Sequence, residues 1–172
     1  MIISWNTTNA CNMYCKHCYR DAGIKADQEL STEEGLTLID QIAEARFKIM
    51  IFSGGEPLLR DDIYTLVNRA RERGMRPVFG TNGTLITGAV AGRLKEAGAV
   101  AMGISLDSVD PVSHDTFRAT TGAWQGAVDG MHACREAGLP FQIHTTVLDW
   151  NMAEVEKLTD FAVQAGAVDF ST

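Results

Sequence analysis

The chain has few cysteines, no apolar run long enough to cross a bilayer, and a deficit of positive charge. Its 172 residues include 15 Lys and Arg against 22 Asp and Glu, which gives a formal net charge of -7. That balance argues against a general nucleic-acid-binding surface, because such surfaces need an excess of Lys and Arg. The first residues lack the basic start and the small-residue cleavage site of a secretory signal. We therefore expect a cytoplasmic protein that contacts neither membrane nor nucleic acid.

The distribution of the four cysteines argues against a disulfide framework. Cys11, Cys15 and Cys18 fall within eight residues, whereas Cys134 is distant and is expected to be a buried core thiol. Three thiolates at this spacing can hold three corners of a cubane 4Fe-4S cluster. The fourth iron would then lack a ligand from this motif and could bind a small molecule, which indicates a catalyst. A zinc site with His17 as fourth ligand is the alternative, although zinc sites usually use paired C-x2-C ligands.

Apolar stretches typical of parallel strands alternate with helix-like stretches along the whole chain. Nearly continuous apolar runs are expected for strands that are covered on both faces. Six strands are predicted, at residues 2–8, 48–53, 76–81, 100–106, 141–147 and 168–171. Five helices fill the intervals, the fourth over residues 123–137. Capping signals open the other four, at Ser31 with Glu34, at Asp61 or Asp62, at Thr87, and at Asn151 with Glu154.

This order predicts a single domain, residues 1–172, of the α/β class with right-handed βαβ crossovers. Helix ends are marked by glycines, namely Gly74, Gly98, Gly138 and Gly166. A doubly wound sheet and a TIM-like barrel both fit the order. We expect a partial (β/α)6 TIM-like barrel of parallel strands whose last helix is missing, as in a truncated core. In either architecture the chemistry lies at the carboxyl ends of the strands.

The end of the second predicted strand carries a glycine pair followed by a carboxylate. Gly54 and Gly55 have no side chains, so a ligand could approach the backbone there. Glu56 offers an acceptor suited to an ammonium group. A tight strand-to-helix turn is the alternative explanation of the glycines, and the cysteine loop upstream favours a ligand-binding turn.

Weaker signals follow the next two strands. Ser105 and Asp107 share one side of the fourth strand and could bind a ribose or an amino acid, although Ser and Asp also cap helices. Thr81 and Asn82 end the third strand, and the sequence there is equally typical of a turn.

Two further residues allow two interpretations each. Arg118 could bind a carboxylate through its guanidinium fork, although a surface arginine is the more ordinary explanation from spacing alone. His144, inside the fifth strand, either faces the interior of the barrel or is a hydrogen-bonded core residue.

Together these motifs resemble the radical S-adenosylmethionine (SAM) superfamily over essentially the whole chain: the cysteine triplet, Gly-Gly-Glu56-Pro57 and Ser105-Leu-Asp107. The segment of residues 5–23 is most similar to the tetrapyrrole-modifying branch. Enzymes of that branch trim side chains of sirohaem derivatives towards haem or haem d1, and usually carry a cysteine-rich C-terminal extension for auxiliary clusters. No cysteine follows Cys134, so this chain alone supplies no second cluster.

The resemblance implies reductive cleavage of SAM at a 4Fe-4S cluster, giving a 5'-deoxyadenosyl radical that abstracts a hydrogen atom from the substrate. An external electron donor such as flavodoxin or ferredoxin would reduce the cluster, and the substrate would be a tetrapyrrole or another small molecule. Modification of a peptide or protein, as in maturases, is the alternative within the superfamily. A non-catalytic metal-binding or electron-transfer module is the alternative of a different class.

The resemblance also implies roles for matching residues. The metal ligands would be Cys11, Cys15 and Cys18. The residues that contact SAM would be His17, Gly54, Gly55, Glu56, Thr81, Asn82, Ser105, Asp107 and Arg118. Among these, the backbone at His17 would contact adenine, the Gly-Gly-Glu turn would take the methionine amino group, and Arg118 would meet the carboxylate. Ser105 and Asp107 would lie along the methionine and ribose.

Overall fold

The apolar runs form six parallel strands of one open sheet in a computed structural model that describes residues 1–172. The strands are β1 (Ile2–Asn6), β2 (Ile49–Ser53), β3 (Arg76–Thr81), β4 (Ala101–Ser105), β5 (Phe141–His144) and β6 (Asp169–Ser171). They are hydrogen-bonded in sequence order, from β1 at one edge to β6 at the other. Because this order never reverses, the sheet follows the path of a TIM barrel and not that of a doubly wound fold. The predicted partial barrel is therefore confirmed.

Six α-helices connect and follow the strands, one more than the sequence predicts. They are α1 (Thr32–Glu44), α2 (Ile63–Glu72), α3 (Gly88–Ala97), α4 (Pro111–Arg118), α5 (Ala123–Ala137) and α6 (Val155–Ala165). Short 3-10 turns occupy Pro57–Leu59 and Met152–Glu154. No helix combines the length and the apolar character that crossing a membrane would require.

The unpredicted helix is α4. Asp110 caps it by accepting a hydrogen bond from the Ser113 amide at 2.8 Å, and Pro111 occupies its first turn. Its buried residues are His114 and Arg118. A short helix that turns polar side chains inward has no apolar stripe, so hydrophobic periodicity does not reveal it.

The predicted capping residues Ser31, Asp62 and Thr87 are the observed N-caps of α1, α2 and α3, and Asn151 precedes the 3-10 turn before α6. Side-chain capping bonds form at two of these four positions. Ser31 and Glu34 form the expected capping box, and Thr87 accepts a hydrogen bond from the Val90 amide. Asp62 makes no capping bond, because its carboxylate pairs with Arg60. Asn151 and Glu154 form no capping box either, since both side chains bond to the β4–α4 or β5–α6 loops.

Alternate side chains of the central strands lie on opposite faces of the sheet, one of which packs in the hydrophobic core. Phe52, Phe79, Met102 and Ile143 are buried in one hydrophobic core with the inner faces of the helices. Cys134 on α5 lies in the same core, where burial raises the pKa of its thiol to about 12. The neighbours of those strand residues, including Ser53, Gly80, Gly103 and His144, line a cavity on the other face.

Candidate active site

A cavity of about 270 Å³ lies at the carboxyl ends of the strands. Its wall brings together all three clustered cysteines and seven of the nine predicted SAM contacts, which are His17, Gly54, Gly55, Thr81, Asn82, Ser105 and Arg118. Two predicted contacts, Glu56 and Asp107, are fully buried and are not part of the lining. The sequence therefore singled out residues that line one cavity, and their roles towards a cluster and SAM stay a prediction.

The cysteine loop is held over the cavity by backbone hydrogen bonds at both of its ends. The Cys11 amide donates to Gly23 at 3.0 Å, and the Gly23 amide donates to Asn9 at 2.9 Å. In the middle of the loop, the Lys16 amide donates to the carbonyl of Phe117 at 3.3 Å. These bonds fix the loop against the rest of the domain and direct its thiols to one space.

The donor set fits a cubane cluster with one open iron. Cys11, Cys15 and Cys18 all line the cavity, and the fourth cysteine, Cys134, lies in the core. No three His, Cys, Asp or Glu side chains are grouped around a position for a single metal ion. In a cubane each thiolate binds a different iron, so the thiols have to face one space and do not have to meet at one point.

Gly54 and Gly55 allow the chain itself to approach their backbone. Gly54 has a φ of +142°, and a Cβ atom there would collide with the carbonyl oxygen of Thr8. A Cβ atom at Gly55 would collide with the carbonyl oxygen of Ala10. The amides of Gly55 and Glu56 donate to these two carbonyls, each at 2.8 Å. The glycines thus bind the entry of the cysteine loop, in addition to lining the cavity as predicted.

The carboxylate of Glu56 is used inside the protein. It accepts hydrogen bonds from the Leu58 amide at 3.1 Å, the Asn82 amide at 2.9 Å and the Thr81 hydroxyl at 2.8 Å. Burial raises its pKa to about 7, although these hydrogen bonds act in the opposite direction. The side chain links the ends of β2 and β3 behind the cavity wall, where no ammonium group from the cavity can reach it.

Asn82 connects the end of β3 to the cysteine loop. Its side-chain nitrogen donates to Oδ1 of Asn12 at 2.8 Å, and its Oδ1 accepts from the amide and the hydroxyl of Thr84. Asn12 in turn donates to the Thr84 hydroxyl at 2.9 Å. The residue forms the turn that the sequence allowed, and it also positions the segment between Cys11 and Cys15.

Asp107 lies just beyond β4 and orients Arg118. Its Oδ2 accepts from Nε of Arg118 at 2.7 Å, and its Oδ1 accepts from the Thr146 amide at 3.0 Å. Arg118 is 8% exposed and lines the cavity, where its NH1 lies 3.8 Å from Sγ of Cys15. Arg118 is therefore not the surface arginine that its spacing alone had favoured.

His17 faces the cavity and stacks on an aromatic residue of α4. The rings of His17 and Phe117 are 4.2 Å apart and nearly parallel, and Phe117 also packs against Trp150 at 4.9 Å. Burial and the neighbouring Arg118 guanidinium lower the pKa of His17. Its Nδ1 is buried and has no hydrogen-bond partner in the protein.

The structure adds cavity residues that the sequence analysis missed or left open. His144 faces the cavity from β5, and burial lowers its pKa. Its ring lies against Gly103, where a Cβ atom would stand 2.5 Å from the ring. Thr146 and Met13 also line the space. Strand alternation could have indicated His144, whereas nothing local marks Thr146 or Met13.

The six parallel strands, with three thiols and a buried arginine around one cavity at their carboxyl ends, define an α/β protein of the partial TIM-barrel class. A family comparison gives the family directly, because the profile of the radical SAM superfamily matches residues 5–162. The chain therefore belongs to the radical SAM superfamily, as the motifs predicted, and this family implies SAM and an iron–sulfur cluster as cofactors.

Curated relatives point to one branch of that family. The chain is 42% identical over 160 residues to the Fe-coproporphyrin III synthase of Methanosarcina barkeri. This match covers 92% of this chain and 40% of the relative. It is 39% identical over 168 residues to the AdoMet-dependent heme synthase of Nitratidesulfovibrio vulgaris, which covers 97% of this chain and 46% of the relative. The chain thus spans less than half the length of these relatives.

A solved structure shares the fold at much lower identity. The structure described as native anSMEcpe with bound AdoMet and Cp18Cys peptide superposes with a TM-score of 0.80 at 18% identity. The match covers 98% of this chain and 49% of that chain. At this identity the likeness supports the fold of the domain alone.

Proposed function

We propose that this chain is the core of a radical SAM enzyme that binds a 4Fe-4S cluster through Cys11, Cys15 and Cys18 and SAM in the adjoining cavity. The observation that carries the proposal is the meeting of these thiols with the glycine turn and Arg118 around one space. When bound, the cluster and SAM would supply a 5'-deoxyadenosyl radical for hydrogen abstraction from a substrate. Reduction would need an external donor such as flavodoxin or ferredoxin, and a cytoplasmic location stays a prediction.

The residues of the cavity would bind the two ends of the methionine part of SAM. The amides of Gly55 and Glu56 are taken by Thr8 and Ala10, whereas the carbonyls of Gly54 and Gly55 accept no hydrogen bond. A methionine ammonium, which only donates, would therefore bind these carbonyls and not the buried Glu56 carboxylate. Arg118 would bind the methionine carboxylate through the terminal N–H groups that Asp107 and Cys15 leave unused, since Asp107 occupies Nε and NH1 lies 3.8 Å from Sγ of Cys15.

Other wall residues would orient the nucleoside part of SAM and exclude water. Ser105, which lines the cavity, would offer its hydroxyl to the ribose, and the backbone at His17 would contact adenine. Thr81 and Asn82 would contribute mainly through the turn they form, because both side chains are engaged within the protein. Asp107 would act through Arg118.

The substrate we propose is a sirohaem-derived tetrapyrrole in haem or haem d1 biosynthesis. The two relatives described above, named as heme and Fe-coproporphyrin III synthases, support this substrate class. A peptide or protein substrate is the second candidate, since the solved neighbour holds a peptide together with AdoMet. A tetrapyrrole should shift its absorption band when mixed with this protein if the first candidate is correct. A leader peptide should bind instead if the second is.

The central test is SAM cleavage by anaerobically reconstituted protein. Dithionite and SAM should yield 5'-deoxyadenosine, which is quantified by chromatography. The iron and sulfide contents of the protein are measured in parallel. Cys15→Ala should abolish the product because one corner of the cluster loses its ligand. Cys134→Ala is the matched control, since it removes a thiol from the core and should retain cleavage. Undiminished cleavage in Cys15→Ala would remove the proposed role of the cysteine loop.

A further inference from the structure

Arg118 contacts both Asp107 and Cys15, and the SAM-binding role proposed above does not explain the contact with Cys15. Its Nε donates to Asp107 at 2.7 Å, and its NH1 lies 3.8 Å from Sγ of Cys15, within hydrogen-bond range for sulfur. The residue is in the last turn of α4 and is 8% exposed. A guanidinium shielded from water in this way is weakly screened, so its charge acts strongly on nearby groups.

The position of the guanidinium is fixed from the side of Asp107. This carboxylate is fully buried and also accepts from the Thr146 amide at 3.0 Å. The side chain of Asn151, itself fully buried, donates to the Asp107 carbonyl at 2.9 Å. Asp107 therefore cannot follow a movement of Arg118, and the guanidinium is held in one orientation.

The position of the sulfur is fixed from the side of α4. The amide of Lys16, next to Cys15, donates to the carbonyl of Phe117, next to Arg118. The stacked rings of His17 and Phe117 add a second contact between the same two segments. Because the neighbours of both residues are joined, the distance from Arg118 to Cys15 is a built feature of the domain.

We propose that Arg118, positioned by Asp107, is an outer-sphere hydrogen-bond donor to the Cys15 sulfur and raises the reduction potential of the cluster. The inference rests on the proposed function, because it requires Cys15 to be a cluster ligand. Hydrogen bonds to cluster sulfurs and nearby positive charge stabilise the reduced form, which carries one more negative charge. Arg118 thereby makes the cluster easier to reduce before SAM is bound, a role separate from binding the SAM carboxylate.

The test is an EPR-monitored redox titration of reconstituted protein without SAM, normalised to iron content. Arg118→Gln, which removes the charge and the directed N–H group, should lower the midpoint potential. Arg118→Lys keeps the charge and loses the planar guanidinium, so its midpoint potential should lie between those of the wild type and Arg118→Gln. Arg20→Gln is the matched control, because Arg20 also lines the cavity but is exposed and donates no hydrogen bond to a cysteine. Its midpoint should shift less than that of Arg118→Gln.

The outcomes separate this inference from the proposed function. Equal midpoints in Arg118→Gln and Arg20→Gln, or a wild-type midpoint in Arg118→Lys, would overturn the directed bond while wild-type SAM cleavage stands. If Arg118→Gln holds no cluster, the midpoint of Arg118→Lys decides alone. A wild-type protein that binds no reducible cluster would instead overturn the proposed function, and the inference with it.

Discussion

The Thr81 hydroxyl lies 2.8 and 2.9 Å from the two carboxylate oxygens of Glu56, and so joins the ends of neighbouring strands beneath the cavity wall. The amides of Leu58 and Asn82 donate to the same carboxylate. All of its partners can donate, so the ionised side chain satisfies them without a donor of its own. Glu56 is therefore a structural centre of the site, although the resemblance assigned it to a ligand.

Glu56→Gln should destabilise the protein, because one amide N–H of Gln would face a backbone N–H donor. We expect the free energy of unfolding at pH 8 to fall by about 1–3 kcal/mol, the typical effect of leaving a buried donor unpaired. Glu29→Gln is the matched control: Glu29 also accepts from two amides and a hydroxyl, but in a more exposed loop. Urea unfolding checks both. An equal loss in the two variants would contradict the importance of burial.

Gly54→Ala should disrupt the cysteine loop far more than Gly92→Ala disrupts α3. The new Cβ would collide with the Thr8 carbonyl, and the φ of +142° is strained for any side chain. We expect loss of reconstituted iron and a large fall in unfolding temperature, measured by calorimetry. Gly92→Ala is the control, because α3 leaves open space there and Ala should stabilise the helix by about 0.5–1 kcal/mol. A Gly54→Ala protein with wild-type stability would show that the turn can relax.

The elements of the fold could be predicted because their signals are local and repeated. Buried parallel strands produce apolar runs, and β3 was predicted at its observed bounds. The capping box at Ser31 and the left-handed glycines at the ends of α3, α5 and α6 are also local. The helix α4 was missed because its inward residues are His114 and Arg118, which only a polar site elsewhere in the fold can accommodate.

The directions of polar side chains in loops could not be predicted, because distant residues determine them. Glu56 turns away from the cavity towards the end of β3, and Asp107 turns towards α4 and Thr146. Asn151 bonds to the Asp107 carbonyl across 44 positions of sequence instead of capping a helix. Each of these partners is specified only once the strands are in place.

The stability that His114 contributes should be lost as the pH falls from 6.5 towards 4. Its Nδ1 accepts a hydrogen bond from the Asp107 amide at 3.1 Å, which requires an unprotonated nitrogen. Burial, together with Arg118, lowers its pKa from 6.5 to about 4. Between these two pKa values the unfolded chain binds a proton that the native chain excludes. The contribution of His114 to stability is therefore fully present above pH 6.5 and decreases below it. The loss at pH 5 should be about 2 kcal/mol.

Urea unfolding at pH 7 and pH 5 of the wild type and His114→Asn measures this contribution. From pH 7 to pH 5, the change in the free energy of unfolding should be less favourable in the wild type than in the variant by about 2 kcal/mol, because Asn does not titrate. His17 and His144, whose pKa values are also lowered, contribute with the same sign in both proteins. Glu56, whose pKa is raised to about 7, contributes with the opposite sign in both. Parallel pH dependences of the two proteins would show that His114 is not the group responsible.

His17→Phe should stabilise the protein and leave SAM binding nearly unchanged. The Nδ1 of His17 is buried without a partner, and a phenyl ring keeps the stack on Phe117 while removing that atom. We expect the free energy of unfolding to rise by about 1 kcal/mol, since an unpaired buried polar group is lost. His17→Ala is the comparison and should lower stability by about 0.5–1.5 kcal/mol through loss of the aromatic pair. If adenine is bound by the backbone, equilibrium dialysis should give a SAM affinity for His17→Phe within about twofold of the wild type, a difference of about 0.4 kcal/mol. A tenfold weaker affinity at undiminished stability would instead identify Nδ1 as the group that binds the nucleoside.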